Sequence, residues 1–165
     1  MTFFTDGEKA SARPVKFQIR RSFSATLENV FDAWLIPYLA GSWMFGSKDP
    51  DQEVIRLENK PLPGGSFILE VIRQGQRHLL CGEYREIRRP DKLSCTIGDD
   101  PETAALVLLT MELYEDNGKT RMKLSFELSP ALAGHADSMR EQWNTRCRAL
   151  AAQVEQSRKQ TRLFR

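Results

Sequence analysis

The stretch MREQWNTRCRALAAQV, residues 139–154, decides the architecture. Met139, Trp143, Cys147, Leu150 and Val154 recur at steps of three and four, the spacing of one apolar stripe on an α-helix about four turns long. Arg140, Glu141, Arg146 and Arg148 lie mostly off that stripe. Such a helix must bury its apolar side against something, and everything before it reads as sheet.

The strands show themselves by alternation and by the turns between them. Val15 to Arg20 alternates apolar and polar residues. Glu53–Leu57, Ser66–Ile72, His78–Ile87, Leu93–Ile97, Ala105–Tyr114 and Thr120–Leu128 follow. Between them stand PLPGG, Gln74-Gly75-Gln76, RRPDK and EDNGK, the last with the Asn-Gly pair typical of a two-residue hairpin. After the first strand, Ser24 is placed to cap a helix whose Leu27, Val30, Phe31 and Trp34 share one face. Pro37 suits the first turn of a second short helix that runs out near Gly41. The glycine-flanked LAGSWMFG, residues 39–46, then brings Trp43, Met44 and Phe45 to the junction with the long helix, as a lid, a wall, or core packing of Trp43 on Trp143.

The order is strand, two short helices, about six antiparallel strands and one long helix, an α+β domain. An antiparallel sheet can bury one face and wet the other. Here only the last helix is long enough to cover the buried face, and a curved sheet around a helix leaves a cavity unless large side chains fill it. The expected division is a polar, mobile tail at 1–14, one domain at 15–156 and a basic tail at 157–165.

At 165 residues, 41% hydrophobic and 28% charged, the chain has an ordinary globular composition. No apolar run approaches the roughly 20 residues of a membrane helix, and the N-terminus lacks the pattern of a secretory signal. A cytoplasmic location is the expectation. Cys81, Cys95 and Cys147 have no CxxC spacing and suit reduced, partly buried thiols. If RRPDK is a hairpin turn, Cys81 and Cys95 do not face each other. Net charge is +2, with +4 from Ala136 onward and −2 before it. That stretch reads as a solvated helix face and a frayed terminus, so nucleic acid is not an expected partner.

LAGSWMFG, PLPGGSFILEV, CGEYREIRRPDKLSCT, DNGKTRMKLSFEL and QWNTRCRAL, in this order, resemble the domain named after the activator of the heat-shock protein 90 ATPase. That family lies in the START-like, birch-pollen-allergen-like superfamily. The resemblance covers Val15 to Val154 and implies a helix-grip fold, six or seven strands wrapped around the C-terminal helix. It matches Trp43, Gly64-Gly65-Ser66-Phe67, Gly82, Tyr84, Pro90, Leu93, Thr96 and Trp143 to largely fold-defining positions. It also implies a hydrophobic small-molecule ligand under the last helix or, in a minority of the superfamily, cyclase or aromatase activity. The founding co-chaperone has a separate N-terminal domain that fourteen polar residues do not replace, so a chaperone partner is a weak expectation.

The leading expectation is non-enzymatic binding of a small hydrophobic or amphipathic molecule, with no metal, cofactor or catalytic residue assigned. Trp34, Trp43, Phe45, Phe67, Tyr84, Trp143 and Cys147 are the candidate walls, with His78 or Glu83 as polar anchors. An enzyme of cyclase or hydrolase type, using a cavity carboxylate or His78, is one alternative. A stress-related or chaperone-regulating interaction module is another, and a homodimer is left open. His78 and His135 are too few for a structural zinc site, and His135 reads as solvated or capping. Glu70, Glu83 and Glu112 could each enter a cavity, but alternation makes outward ion pairs simpler, with Arg85 and Arg121 as cross-strand partners. No GxGxxG, Walker or GxSxG motif supports nucleotide or hydrolase chemistry.

Overall fold

Strand alternation builds a seven-stranded antiparallel sheet that curves around the C-terminal helix. The computed structural model describes residues 13–163, with side chains through residue 156. The expected tail at 1–14 therefore falls almost wholly outside the described residues. The strands are β1 (Val15–Phe23), β2 (Glu53–Asn59), β3 (Ser66–Arg73), β4 (Gln76–Arg88), β5 (Lys92–Thr96), β6 (Val107–Asp116) and β7 (Lys119–Leu128). Their order across the sheet is β1-β7-β6-β5-β4-β3-β2. The first strand closes on the last, Val15 opposite Leu128 and Phe23 opposite Thr120.

The helices are α1 (Leu27–Leu35), α2 (Pro37–Ala40), α3 (Pro101–Ala104) and α4 (Ala136–Leu163), with a 3-10 segment at Pro130–His135. The cap of α1 is Thr26, not Ser24. Thr26 Oγ1 accepts from the Asn29 amide at 3.1 Å. Ser24 stands too far upstream, and its own amide donates to Glu155 Oε2 at 2.9 Å, tying the end of β1 to α4. The backbone of α4 also runs beyond Val154 through Leu163, so the first part of the expected basic tail continues the helix. The short α3 was not legible as an element; Asp100 caps it and Pro101 starts it.

One face of the sheet is the core. Val107, Leu109, Met111 and Leu113 of β6 stand directly opposite Leu128, Phe126, Leu124 and Met122 of β7, all buried. Trp143, Cys147, Leu150 and Val154 of α4 press onto that face. Positive φ at Gln74-Gly75 and Asn117-Gly118 makes both hairpin turns tight. The other face carries ion pairs. Glu70 meets Arg77 at 2.5 Å and Arg56 at 3.5 Å, Glu83 meets Arg85 at 3.6 Å, and Glu112 meets Lys123 at 3.5 Å. The partner of Arg121 is Asp116 at 3.1 Å, and Arg85 pairs within its own strand, so neither forms the cross-strand glutamate pair expected of it.

Candidate functional site

The start of β4, the segment after β5 and the first half of α4 border a cavity of about 650 Å³ that opens to solvent. Its shape depends on Gly98. There the chain leaves β5 and bonds back to Cys81 in both directions, at 2.9 and 3.0 Å, before turning into α3. A Cβ at Gly98 would stand 2.6 Å from the Ala104 amide nitrogen, so only glycine lets α3 fold so close. Asp100 then accepts from the Thr103 amide at 2.8 Å and from its hydroxyl at 2.9 Å. Those bonds hold the Asp100 carboxyl below its ordinary pKa and anchor Asp99 at the rim.

Polar groups form the larger part of its surface, and apolar side chains form the rest. Leu80, Ile97, Val107 and Trp143 are buried and line it, with Leu132 and Met139 beside them. Polar and titratable side chains complete the lining. Arg77 and His78 come from β4, Asp99 and Asp100 from the turn into α3, and His135 and Arg146 from the helical side. The His78 ring sits 6.3 Å from the ring of Phe45, which also lines the cavity.

Arg146 lies three residues after Trp143, one step off the apolar stripe, and its guanidinium rests 4.7 Å over the Trp143 ring. Among the described residues it has no hydrogen-bond acceptor and no carboxylate within ion-pair distance. Burial pushes its pKa down to about 10, against the opposing pull of the Asp99 charge. The side chain keeps part of its surface free, and that surface belongs to the cavity wall.

The residues singled out from sequence divide into three groups. Phe45, His78 and Trp143 line the cavity. Trp34, Phe67 and Tyr84 instead surround a separate interior void of about 20 Å³, scarcely one water across. Burial raises the Tyr84 hydroxyl pKa, and the hydroxyl donates to Asn59. Trp43 and Cys147 have no exposed surface and are core, while Glu83 is exposed beside Arg85. Trp43 does not stack on Trp143. Trp34 stands between them, parallel to Trp143 at 5.8 Å and edge-on to Trp43 at 4.9 Å, and Trp43 Nε1 donates to the Ala33 carbonyl at 2.9 Å. The LAGSWMFG segment thus seals the core with Trp43 and Met44 and offers only Phe45 to the cavity. Sequence reasoning missed Arg146 and Asp99 as cavity residues. A basic residue at the edge of an apolar stripe was the available signal for Arg146.

All three cysteines are free and buried, and Cys81 lies opposite Gly98 rather than Cys95. Among the described residues no group of three or more His, Cys, Asp or Glu could hold a metal ion. No helix there is long and apolar enough to cross a membrane.

A curved sheet gripping a long helix, with short helices after its first strand, is also what the comparisons with known proteins return. A family model described as Activator of Hsp90 ATPase homolog 1-like protein matches residues 24–155. The chain belongs to that family. The match begins just before α1 and ends at Glu155, so it takes in both the cavity and the tryptophan stack. Among solved structures, a Staphylococcus aureus protein of unknown function superposes with a TM-score of 0.75 at 16% identity, covering 91% of this chain and 99% of that one. A Chromobacterium violaceum protein gives 0.68 at 23% identity, over 85% and 96% of the two chains. An AHSA1-like protein from Aeromonas hydrophila gives 0.63 at 16%, over 84% and 93%. At these identities the likeness is one of fold. No curated protein matches the sequence. Membership of this family is consistent with a ligand-binding or regulatory domain.

Proposed function

We propose that this protein binds a small amphipathic molecule in the cavity between β4 and α4. The observation that carries the reading is the cavity itself, about 650 Å³, whose wall mixes apolar side chains such as Phe45, Leu132 and Met139 with a larger share of polar and charged groups. That volume falls within the range of small-molecule sites, which combine apolar walls with a few placed polar groups. Phe45, Trp143 and His78 are the wall residues carried forward from the sequence, now joined by Leu80, Met139 and Arg146. The charged rim favours an amphipathic guest over a purely hydrophobic one, because an apolar guest would bury the Arg146 guanidinium without a partner.

Titration of the native protein with medium-chain amphiphiles, followed through tryptophan fluorescence, tests the reading, since Trp143 lines the site. Saturable quenching that weakens in Met139→Glu, which puts a charge on the half-buried apolar part of the wall, is the expected result. Absence of a saturable change with every amphiphile, together with native mass spectrometry showing only the apo mass, would refute it.

A second reading is regulation of a protein partner. Its support is the family's description as an ATPase activator and a groove of about 520 Å³ beside α4, where Tyr38 is 78% exposed. Stimulation of an Hsp90-type ATPase by the full chain, lost in Tyr38→Ala, tests this reading.

A further inference from the structure

Arg146 is the feature of the cavity that its neighbours do not account for. Its guanidinium presents five N–H donors in a fixed fork. In this structure the Trp143 ring takes one face of that fork, and among the described residues nothing accepts from its edge. Titratable groups on several elements line the same cavity. Asp99 and Asp100 lie on the turn into α3, Arg77 and His78 on β4, and His135 on the 3-10 segment. Asp100 is engaged by Thr103, which leaves Asp99 as the carboxylate whose field reaches Arg146. Asp99 is not within ion-pair distance. A guanidinium held by an aromatic face, with its donor edge open to a cavity, is built to receive an oxyanion in two parallel hydrogen bonds.

We infer that the ligand of this cavity is an amphipathic anion whose carboxylate head docks on Arg146, with its apolar chain lying over Phe45, Leu132 and Met139, the half-buried apolar residues of the wall. The inference rests on the cavity-binding reading and adds the sign and class of the head group. Trp143 gives the guanidinium a rigid backing, so the fork need not be ordered when the ligand arrives. Asp99 works against the anion and sets a limit on its affinity. No other residue is required to change partner.

Three probes of equal chain length and different head group separate the possibilities: decanoate, decanol and decyltrimethylammonium. Each is titrated into the full chain by calorimetry, and into Arg146→Met, Arg146→Lys and Asp99→Asn. Decanoate is expected to bind about tenfold or more tighter than decanol, the size of a charge-assisted bidentate contact. Arg146→Met should erase that preference by weakening decanoate, while decanol still binds, as tightly or tighter because it no longer buries an unpartnered guanidinium; a cooperative melt shows that the variant is folded. Arg146→Lys should retain part of it, and Asp99→Asn should tighten decanoate alone. Equal binding of decanoate and decanol, or a preference for the cationic probe, overturns the anion inference while the cavity reading stands. Binding of none of the three, in a chain that melts cooperatively, overturns both. A decanoate preference that survives Arg146→Met overturns the assignment of the head group to this residue.

Discussion

Gly82 provides the sharpest test of how the cavity wall is held. It sits in β4 opposite Phe67 of β3. A Cβ added there would stand 1.8 Å from the Thr96 carbonyl oxygen and 2.8 Å from Phe67 Cζ, where ordinary contact begins at 3.4 Å. Gly82→Ala must therefore part β4 from the end of β5 by about 1.6 Å, the difference of those two distances. Three hydrogen bonds flank the point: the Glu83 amide to Thr96 Oγ1 at 3.0 Å, and the reciprocal Cys81–Gly98 pair at 2.9 and 3.0 Å. Losing them at about 1 kcal/mol each gives a destabilisation of about 3 kcal/mol. For a chain of this size that is a fall of roughly 6–12 °C in Tm. Gly134→Ala is the control, because nothing lies within 4 Å of a Cβ there. Thermal unfolding by circular dichroism measures both. A Gly82→Ala protein that melts within about 2 °C of the parent would refute the close approach of the two strands. The same substitution should also weaken ligand binding, because Gly98 and Asp99 line the cavity just beyond the displaced bonds.

Burial pushes the Cys95 thiol up to about 12 and the Cys147 thiol up to about 11, and it raises Cys81 with help from Asp100 and Asp99. The native protein should therefore react with a disulfide reagent at least about tenfold more slowly than the denaturant-unfolded chain, and equal rates would contradict the burial. The sign of the pH effect follows. Below about pH 8.5 the stability held by these thiols is complete, and it declines as pH rises toward the folded-state values, because the unfolded chain releases protons that the native state keeps. Urea midpoints compared at about pH 8 and about pH 10 should fall, and fall less in Cys95→Ala. At neutral pH the depressed Arg146 carries a charge that the fold disfavours by up to about 3 kcal/mol. After discounting for cavity water and about 1 kcal/mol of lost stacking on Trp143, Arg146→Met should gain about 1 kcal/mol, read as a Tm rise of a few degrees. A lower Tm would show that the residue is structural. Trp43→Phe leaves the Ala33 carbonyl without its donor and opens a void, and denaturant unfolding should show a loss of about 2 kcal/mol.

Much of this molecule is determined locally. The alternation of β6 and β7, the Asn117-Gly118 turn between them and the stripe from Met139 to Val154 each specify an element through its own period or backbone preference. Together with one buried sheet face, they leave little choice but a sheet wrapped on the last helix. The cap at Thr26 and the short α3 escaped because a single hydroxyl or one Asp-Pro pair is a weak signal until its helix is known.

Tertiary structure alone decided where the cavity lies. Periodicity says which face of a strand or helix is buried, but not how far two buried faces stand apart. Around Trp34 the faces close, so Phe67 and Tyr84 surround a void of about 20 Å³. Around Arg146 they stay apart, because Gly98 turns the chain away into α3 and α4 packs closest to β1, where Arg140 stacks on Phe17 at 4.8 Å. An arginine beside an apolar stripe is unremarkable in one dimension. It becomes a candidate binding group when segments distant in sequence border it and no described residue supplies an acceptor, and that is a property of distances between elements, which no local pattern encodes.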